Sequence, residues 1–186
     1  MNFFIQLDYS LFHFINQTMT NPWLDSFFPY ITDLHKNLWF ECIASSVLLF
    51  FYLYKYQRKG VLYFFFCILS LAVTDFSGAV LFKNTVKRPR PFNTQNLEVT
   101  ERSPAHGYSF ISNHSSNMFA FATYSSAFFP PARFVFFGIA TIIAISRVYN
   151  GVHFPLDVIC GALWGIAISL IFIRLVRWIA NRRREA

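Results

Sequence analysis

The chain has 186 residues, of which 55% are hydrophobic, 20% aromatic and only 13% charged. A soluble domain of this length has too little interior to bury so much apolar surface, so the composition excludes an ordinary soluble protein and favours a membrane protein. The formal net charge of +7 reflects membrane topology and the charged motifs described below, and because no basic aromatic groove stands out, nucleic acid is not predicted as a partner.

The first 37 residues mix polar residues with many aromatic ones. Residues 4–15 carry an apolar stripe at helical spacing. Asn21-Pro22 is typical of the start of a second helix, with the asparagine as N-cap and the proline at the first helical position. We predict that residues 1–37 form two amphipathic helices lying in the membrane interface. A sixth, tilted spanning helix is the alternative, because the polar residues could face the interior of a bundle.

Five apolar segments follow, each close to the length of a spanning helix. They are Leu38–Tyr54, Val61–Phe82, Asn117–Ala132, Phe134–Ile145 and Val158–Ile173. The predicted fold is therefore all-α, a polytopic membrane bundle of five transmembrane helices (six on the alternative), and residues 1–186 form one domain. Asp75 lies inside the second segment, where we expect it to make a structural hydrogen bond within the bundle.

The distribution of basic residues predicts the orientation. Of the 16 lysines and arginines, nine fall on one side of the five-helix topology and seven on the other. The positive-inside rule places the side with nine, and the C-terminus, in the cytoplasm. The other side then faces the periplasm or the cell exterior. On that side Lys87, Arg88 and Arg102 are predicted to attract lipid head groups, and His35 is expected in the membrane interface.

Three motifs lie at the ends of the predicted spans, all on the outer side. They are Lys83-x6-Arg90-Pro91, Ser112-Asn113-His114 and Ser146-Arg147-x5-His153-x3-Asp157. Three cations suit an anionic tetrahedral group such as phosphate, and two histidines suit a nucleophile and a proton donor. Taken singly, the residues have plainer interpretations: Lys83 as a snorkelling lysine, and His153–Asp157 as a surface pair. Their joint occurrence on one membrane surface favours catalysis.

The motifs resemble the signature of the type 2 phosphatidic acid phosphatase superfamily, which reads Lys-x6-Arg-Pro, Pro-Ser-Gly-His and Ser-Arg-x5-His-x3-Asp. The first and third motifs match in full. In the second, Ile111 and Asn113 stand where the family has proline and glycine, while Ser112 and His114 are kept. The signature spans residues 83–157, and the arrangement of helices extends the resemblance over most of the chain.

The resemblance implies hydrolysis through a phosphohistidine. His153 is expected to attack phosphorus, with Asp157 fixing the tautomer of its ring. His114 is expected to protonate the leaving oxygen and then to activate water. Five residues are expected to bind the phosphate oxygens, by side chain or by backbone amide: Lys83, Arg90, Arg147, Ser112 and Asn113. No metal or other cofactor is expected, because the cations supply the electrostatic stabilisation.

The expected partners are the bilayer and a phosphorylated lipid of a bacterial envelope, and the expected location is the bacterial inner membrane. Lipid A 1-phosphate and undecaprenyl diphosphate lead the candidate substrates, with phosphatidylglycerol phosphate and phosphatidate also possible. The sequence gives no prediction of oligomeric state. Two other classes stay open. One is a vanadium-dependent haloperoxidase, although such enzymes are soluble and the apolar segments of this chain argue against it. The other is a non-catalytic protein that binds or transports lipid.

Overall fold

The computed structural model describes the backbone of residues 3–185 and the side chains of residues 3–182. Every regular element in that range is helical. The α-helices are α1 Phe3–His13, α2 Pro22–Asp33, α3 Leu38–Tyr56, α4 Arg58–Gly78, α5 Asn84–Val86, α6 Asn113–Phe128, α7 Arg133–Tyr149 and α8 Pro155–Glu185. A π-helical turn, Ala79–Lys83, connects α4 to the single turn α5, and a second π-helical turn, Phe14–Thr18, extends α1.

Within the described residues, four helical segments are long and apolar enough to cross a membrane. They are Leu38–Tyr56, Arg58–Asn93, Pro130–Tyr149 and Pro155–Arg182. Large apolar side chains on these segments point away from the protein, as expected of surfaces that meet lipid; Trp39, for example, is 78% exposed and Phe134 75% exposed. The structure therefore confirms an all-α bundle of the membrane type, with four candidate spans.

The predicted span Asn117–Ala132 is not among these four. It corresponds to α6, which begins four residues earlier and has 16 residues, several of them serines. α6 packs against α4, α7 and α8, so most of its surface meets protein instead of lipid and does not need to be apolar. With 16 residues, α6 is also shorter than a typical spanning helix, and a fifth span stays a prediction.

Small residues let α6 and α8 approach closely. Gly161 and Gly165 on α8 form a small-x3-small pair of the kind that membrane helices use for contact. A Cβ atom at position 165 would lie 2.0 Å from the carbonyl oxygen of Ser116 on α6. The Ser115 and Ser169 hydroxyls donate to backbone carbonyls of the opposite helix, each at 2.7 Å. This contact fixes the start of α6 relative to the start of α8.

The two N-terminal helices are present as predicted. The Asn21 side chain caps α2 by accepting a hydrogen bond from the Leu24 amide at 2.9 Å, and Pro22 is the first helical residue. α1 and its π-helical turn contact α8 and α7. The buried Asp8 carboxylate accepts the Leu156 amide at 2.8 Å, and Asn16 donates to the Tyr149 carbonyl at 2.8 Å. These bonds tie the N-terminal segment to the main bundle; its position in the membrane interface stays a prediction.

Candidate active site

A cavity of about 950 Å³ lies between α2, α4, α6 and α7, at the end of the bundle where the three motifs meet. Six of the eight predicted site residues line it: Lys83, Arg90, Asn113, His114, Arg147 and His153. The other two, Ser112 and Asp157, are fully buried behind its wall. The topology thus brings together residues that are up to 74 positions apart in the sequence. This agrees with the predicted topology, in which the helices between the motifs return the chain to the same side of the membrane.

The ends of helices position these side chains. Lys83 is the last residue of the π-helical turn after α4, and His114 is the second residue of α6. Arg147 lies in the last turn of α7, and Asp157 in the first turn of α8. His153 occupies the short connection between those two helices. Each group therefore projects from a rigid element or from a tight link between two such elements.

Arg90 is held by backbone carbonyls. Arg90 is 5% exposed, and its guanidinium donates to the carbonyls of Val152, His106 and Gly107 at 2.8, 2.8 and 3.0 Å. Its Nη1 also lies 3.4 Å from Nε2 of His153. Because neutral carbonyls satisfy the hydrogen bonds without cancelling the charge, the cation remains available to an anion beside the histidine.

His153 is 2% exposed, with its two nitrogens facing different partners. Nε2 faces Arg90, while Nδ1 lies 3.7 Å from Oδ2 of Asp157, which is longer than a hydrogen bond. Burial lowers the pKa of His153 to about 4, and the nearby Asp157 carboxylate opposes this only in part. The ring is therefore neutral at pH 7, so that one nitrogen has a free lone pair.

Asp157 is fixed by donors other than the histidine. Its Oδ2 accepts hydrogen bonds from the Ser109 hydroxyl and, at 2.8 Å, from the Phe154 amide. Its Oδ1 accepts from Nη1 of Arg88 at 2.7 Å. The carboxylate is thus locked in place one turn from His153, where it acts on the ring through its charge at the observed distance.

The prediction that Arg88 attracts lipid head groups is wrong. Its guanidinium bridges two carboxylates whose side chains are fully buried, Asp157 and Asp8, and lies 4.0 Å from the centre of the Phe154 ring. Arg102 is also engaged inside the protein, pairing with Asp25 at 2.7 Å and donating to the Tyr149 carbonyl. The sequence did not predict these ion pairs because the partners of both arginines lie in distant parts of the chain.

Arg147 and His114 carry donor or acceptor atoms that the protein leaves unused. Nη1 of Arg147 donates to the Thr32 hydroxyl at 2.7 Å, but its buried Nε has no hydrogen-bond partner in the described part of the chain. The same holds for the buried Nε2 of His114. Unpaired buried polar groups are costly and mark places where a ligand completes the hydrogen bonding.

Ser112 and Asn113 form the start of α6. Ser112 is the N-cap, its hydroxyl accepting from the Ser115 amide at 3.5 Å, and its own amide donates to the Asp157 carbonyl at 3.0 Å. The Asn113 side chain donates to Oδ1 of Asp75 at 2.9 Å. The predicted phosphate binding by these two residues stays a prediction; in the structure their side chains support the helix start.

Other residues of the cavity wall were assigned elsewhere or passed over. His35, expected in the membrane interface, lines the cavity with its ring edge-on to that of His114, the ring centres being 4.8 Å apart. Its Nδ1 lies 2.8 Å from the Thr32 carbonyl.

The expected structural bonding of Asp75 is confirmed by hydrogen bonds that its carboxylate accepts from the side chains of Asn113 and Asn117. Among the described residues, no three His, Cys, Asp or Glu side chains are grouped to hold a metal ion.

Comparisons with known proteins identify the family of this chain. A family model described as the PAP2 superfamily matches residues 60–181. The lipid A 4'-phosphatase of Porphyromonas gingivalis is 26% identical over 190 residues, which cover 98% of this chain and 78% of that protein. The lipid A 1-phosphatase of Rhizobium etli is 33% identical over 156 residues, which cover 76% of this chain and 66% of that protein.

A solved structure shows the same architecture. The crystal structure of Aquifex aeolicus LpxE superposes with a TM-score of 0.73 and 30% sequence identity, over 90% of this chain and 95% of that one. The family model covers well over half of the chain and contains all three motifs. The resemblance drawn from the motifs is thereby confirmed, and the chain belongs to the PAP2 superfamily.

Proposed function

We propose that this protein is a membrane lipid phosphatase that removes a terminal phosphate from a phosphorylated envelope lipid through a phosphohistidine intermediate. One observation carries the proposal: the three cations and two histidines of the motifs line a single cavity at the end of an apolar helix bundle. The names of the relatives, lipid A phosphatases, support the same reaction class.

The first step forms a bond between His153 and phosphorus. Nδ1 faces the carboxylate of Asp157, so Nε2, which faces Arg90 and the cavity, is the attacking atom. As the N–P bond forms, the P–O bond to the lipid breaks, and His114, whose protonated form the bound anionic phosphate favours, gives a proton to the leaving oxygen. Asp157 stabilises the positive charge that develops on the ring of His153.

The second step releases inorganic phosphate. His114, now neutral, takes a proton from water while the water oxygen attacks phosphorus and the P–N bond breaks. Lys83, Arg90 and Arg147 stabilise the charge on the equatorial oxygens in both steps. The unused Nε of Arg147 and Nε2 of His114 are the atoms from which we expect contacts to phosphate.

We also propose that α6 is a fifth span, that the protein lies in a bacterial inner membrane, and that the cavity faces the periplasm. The basic residues support this orientation. Lys55 and Arg177 donate to carbonyls at the C-terminal end of α6, opposite the cavity, and Arg133 begins α7 at the same end. A cytoplasmic position for that end, and for the C-terminus of α8, satisfies the positive-inside rule.

Phosphate release from lipid phosphates by the purified protein in detergent tests the activity. The wild type is expected to be active and His153→Ala to show only background. A substrate labelled with ³²P should label the wild-type protein transiently, and the label should be stable in alkali and labile in acid, as phosphohistidine is. Release at the wild-type rate by His153→Ala, or a label stable in acid, would contradict the proposed nucleophile.

A further inference from the structure

The cavity has three layers along the bundle axis. The outermost contains the cations and the two histidines of the motifs. The next layer consists of Asp75, Asn113 and Asn117. Asn113 lies beside His114 at the start of α6, whereas Asn117 is about 4.5 Å further along α6 than His114, and Asp75 is bonded to both asparagines. Deeper still the wall is apolar, with Leu71, Met118 and Ile139 among its residues. A polar layer thus separates the phosphate position from the hydrocarbon position.

The polar layer is rich in acceptors. Oδ1 of Asp75 accepts a hydrogen bond from each asparagine side chain, both at 2.9 Å. Both amide groups are thereby oriented with their nitrogens toward Asp75. The two amide oxygens are buried and have no hydrogen-bond partner among residues 3–182, and Oδ2 of Asp75 receives no hydrogen bond from those residues either. The two buried amide oxygens therefore lack donors from the described protein, and Oδ2 of Asp75, an exposed residue, is open to a further donor.

The order of the layers matches the order of groups in a lipid phosphate. In the proposed mechanism the phosphate lies beside His153 and the leaving oxygen beside His114, which leaves the apolar layer for the acyl chains. The first atoms of the leaving group, those next to the broken bond, then fall in the polar layer. Oxygen acceptors at this level favour a leaving group with O–H or N–H donors, and a carboxylate there disfavours a leaving group that is itself anionic.

We propose that Asp75, Asn113 and Asn117 form a specificity subsite for a leaving group that presents hydroxyl or amide N–H donors next to the phosphate. This proposal rests on the proposed phosphatase function. An N-acylated amino sugar phosphorylated at C1 carries both kinds of donor. Phosphatidate presents only ester oxygens beyond its leaving oxygen, and a prenyl diphosphate would place its inner, anionic phosphate against Asp75.

Steady-state kinetics with three pure substrates test this assignment: lipid A carrying a 1-phosphate, dioleoyl phosphatidate and undecaprenyl diphosphate. We expect Asp75→Asn, which keeps the shape of the side chain but removes its charge, to lower kcat/KM for lipid A by roughly 10- to 100-fold, as for loss of a hydrogen bond to a charged group. Activity on phosphatidate should change by less than about 3-fold on the same scale, and activity on the diphosphate should stay level or rise.

Thr74→Val is the matched control. Thr74 precedes Asp75 on α4, is fully buried and bonds to the Ser70 carbonyl, so that it does not line the cavity. Asn117→Ala is a second test variant, which removes one acceptor while Asp75 keeps its bond to Asn113. If Asp75→Asn fails to fold, Asn117→Ala tests the subsite instead. We expect it too to lower kcat/KM for lipid A more than for phosphatidate.

The outcomes separate the two proposals. An equal loss on all three substrates in Asp75→Asn and Asn117→Ala would show a purely structural role and overturn the subsite. Wild-type protein that hydrolyses phosphatidate or the diphosphate but not lipid A would also overturn the subsite, while the phosphatase function stands. Wild-type protein that releases phosphate from none of the three would overturn both.

Discussion

Arg88→Ala is expected to destabilise the protein and to slow turnover, although Arg88 lies outside the three motifs. The wild-type guanidinium is the shared partner of two carboxylates whose side chains are fully buried, Asp157 and Asp8. Removing one partner of a buried ion pair costs about 3–5 kcal/mol, because it leaves an uncompensated charge. The guanidinium is itself 20% exposed, so we expect a value near the lower end, about 3 kcal/mol.

The expected effect on turnover follows from the position of Asp157. Without Arg88 its Oδ1 loses the donor at 2.7 Å, and the two donors to Oδ2, from Ser109 and the Phe154 amide, must hold the carboxylate beside His153 alone. A displacement of about 1 Å in an active site can lower the rate by roughly 100-fold, so kcat/KM is expected to fall on the order of 10- to 100-fold. Arg88→Lys should recover part of this loss, since a lysine keeps the charge but lacks the fork that reaches two carboxylates.

Thermal unfolding in detergent and phosphate release measure the two effects. Lys87→Ala is the control, because Lys87 is adjacent, exposed and equally charged. If Arg88 only attracted lipid head groups, both alanine variants would lose a similar, small amount of activity on vesicles and keep the wild-type melting temperature. That result would refute the role assigned to the Arg88 bridge.

Three further predictions concern pH, packing and metals. His153 has a folded-state pKa of about 4, below the value of about 6.5 in an unfolded chain. Between these pH values the unfolded state therefore binds more protons than the folded state. The free energy of unfolding is expected to fall as the pH is lowered from 6.5 to 4. The melting temperature of His153→Asn should fall less over this range than that of the wild type. Gly165→Ala places a Cβ 2.0 Å from the Ser116 carbonyl oxygen, whereas Gly138→Ala meets nothing within 4 Å; we expect a loss of about 1–3 kcal/mol for the first in thermal unfolding and almost none for the second. Exhaustive treatment with EDTA should leave phosphate release unchanged, since side-chain cations stabilise the transition state, and restoration of a lost activity by zinc or magnesium would contradict this.

The parts of the fold that local chemistry determines were predictable from the sequence. The Asn21-Pro22 helix start follows from capping preferences. The apolar segments 38–54 and 134–145 lie within α3 and α7 because lipid-facing helices must be apolar on most of their surface. The convergence of the motifs followed from topology, since each motif adjoins a helix end on the same side of the bundle.

The rest depended on contacts between distant segments. The serine-rich surface of α6 is covered by neighbouring helices that the sequence does not reveal, so whether α6 is a fifth span stays a prediction. The Arg88–Asp8 bond joins residues 80 positions apart, and His35 enters the cavity only because the N-terminal helices pack against the bundle. No spacing rule connects such residues, so their roles become visible only in three dimensions.

The π-helical turn Ala79–Lys83 limits how this region can vary. Such a turn arises when a helix takes in one extra residue, and successive residues of an α-helix differ by about 100° around the axis. Deleting one residue between Gly78 and Lys83 would restore a regular helix and leave the lysine pointing in nearly the same direction, whereas deleting a second residue would rotate it by about 100° away from the cavity. The turn is therefore expected to tolerate the loss of one residue but not of two, so the direction of this cation depends on the number of residues before it.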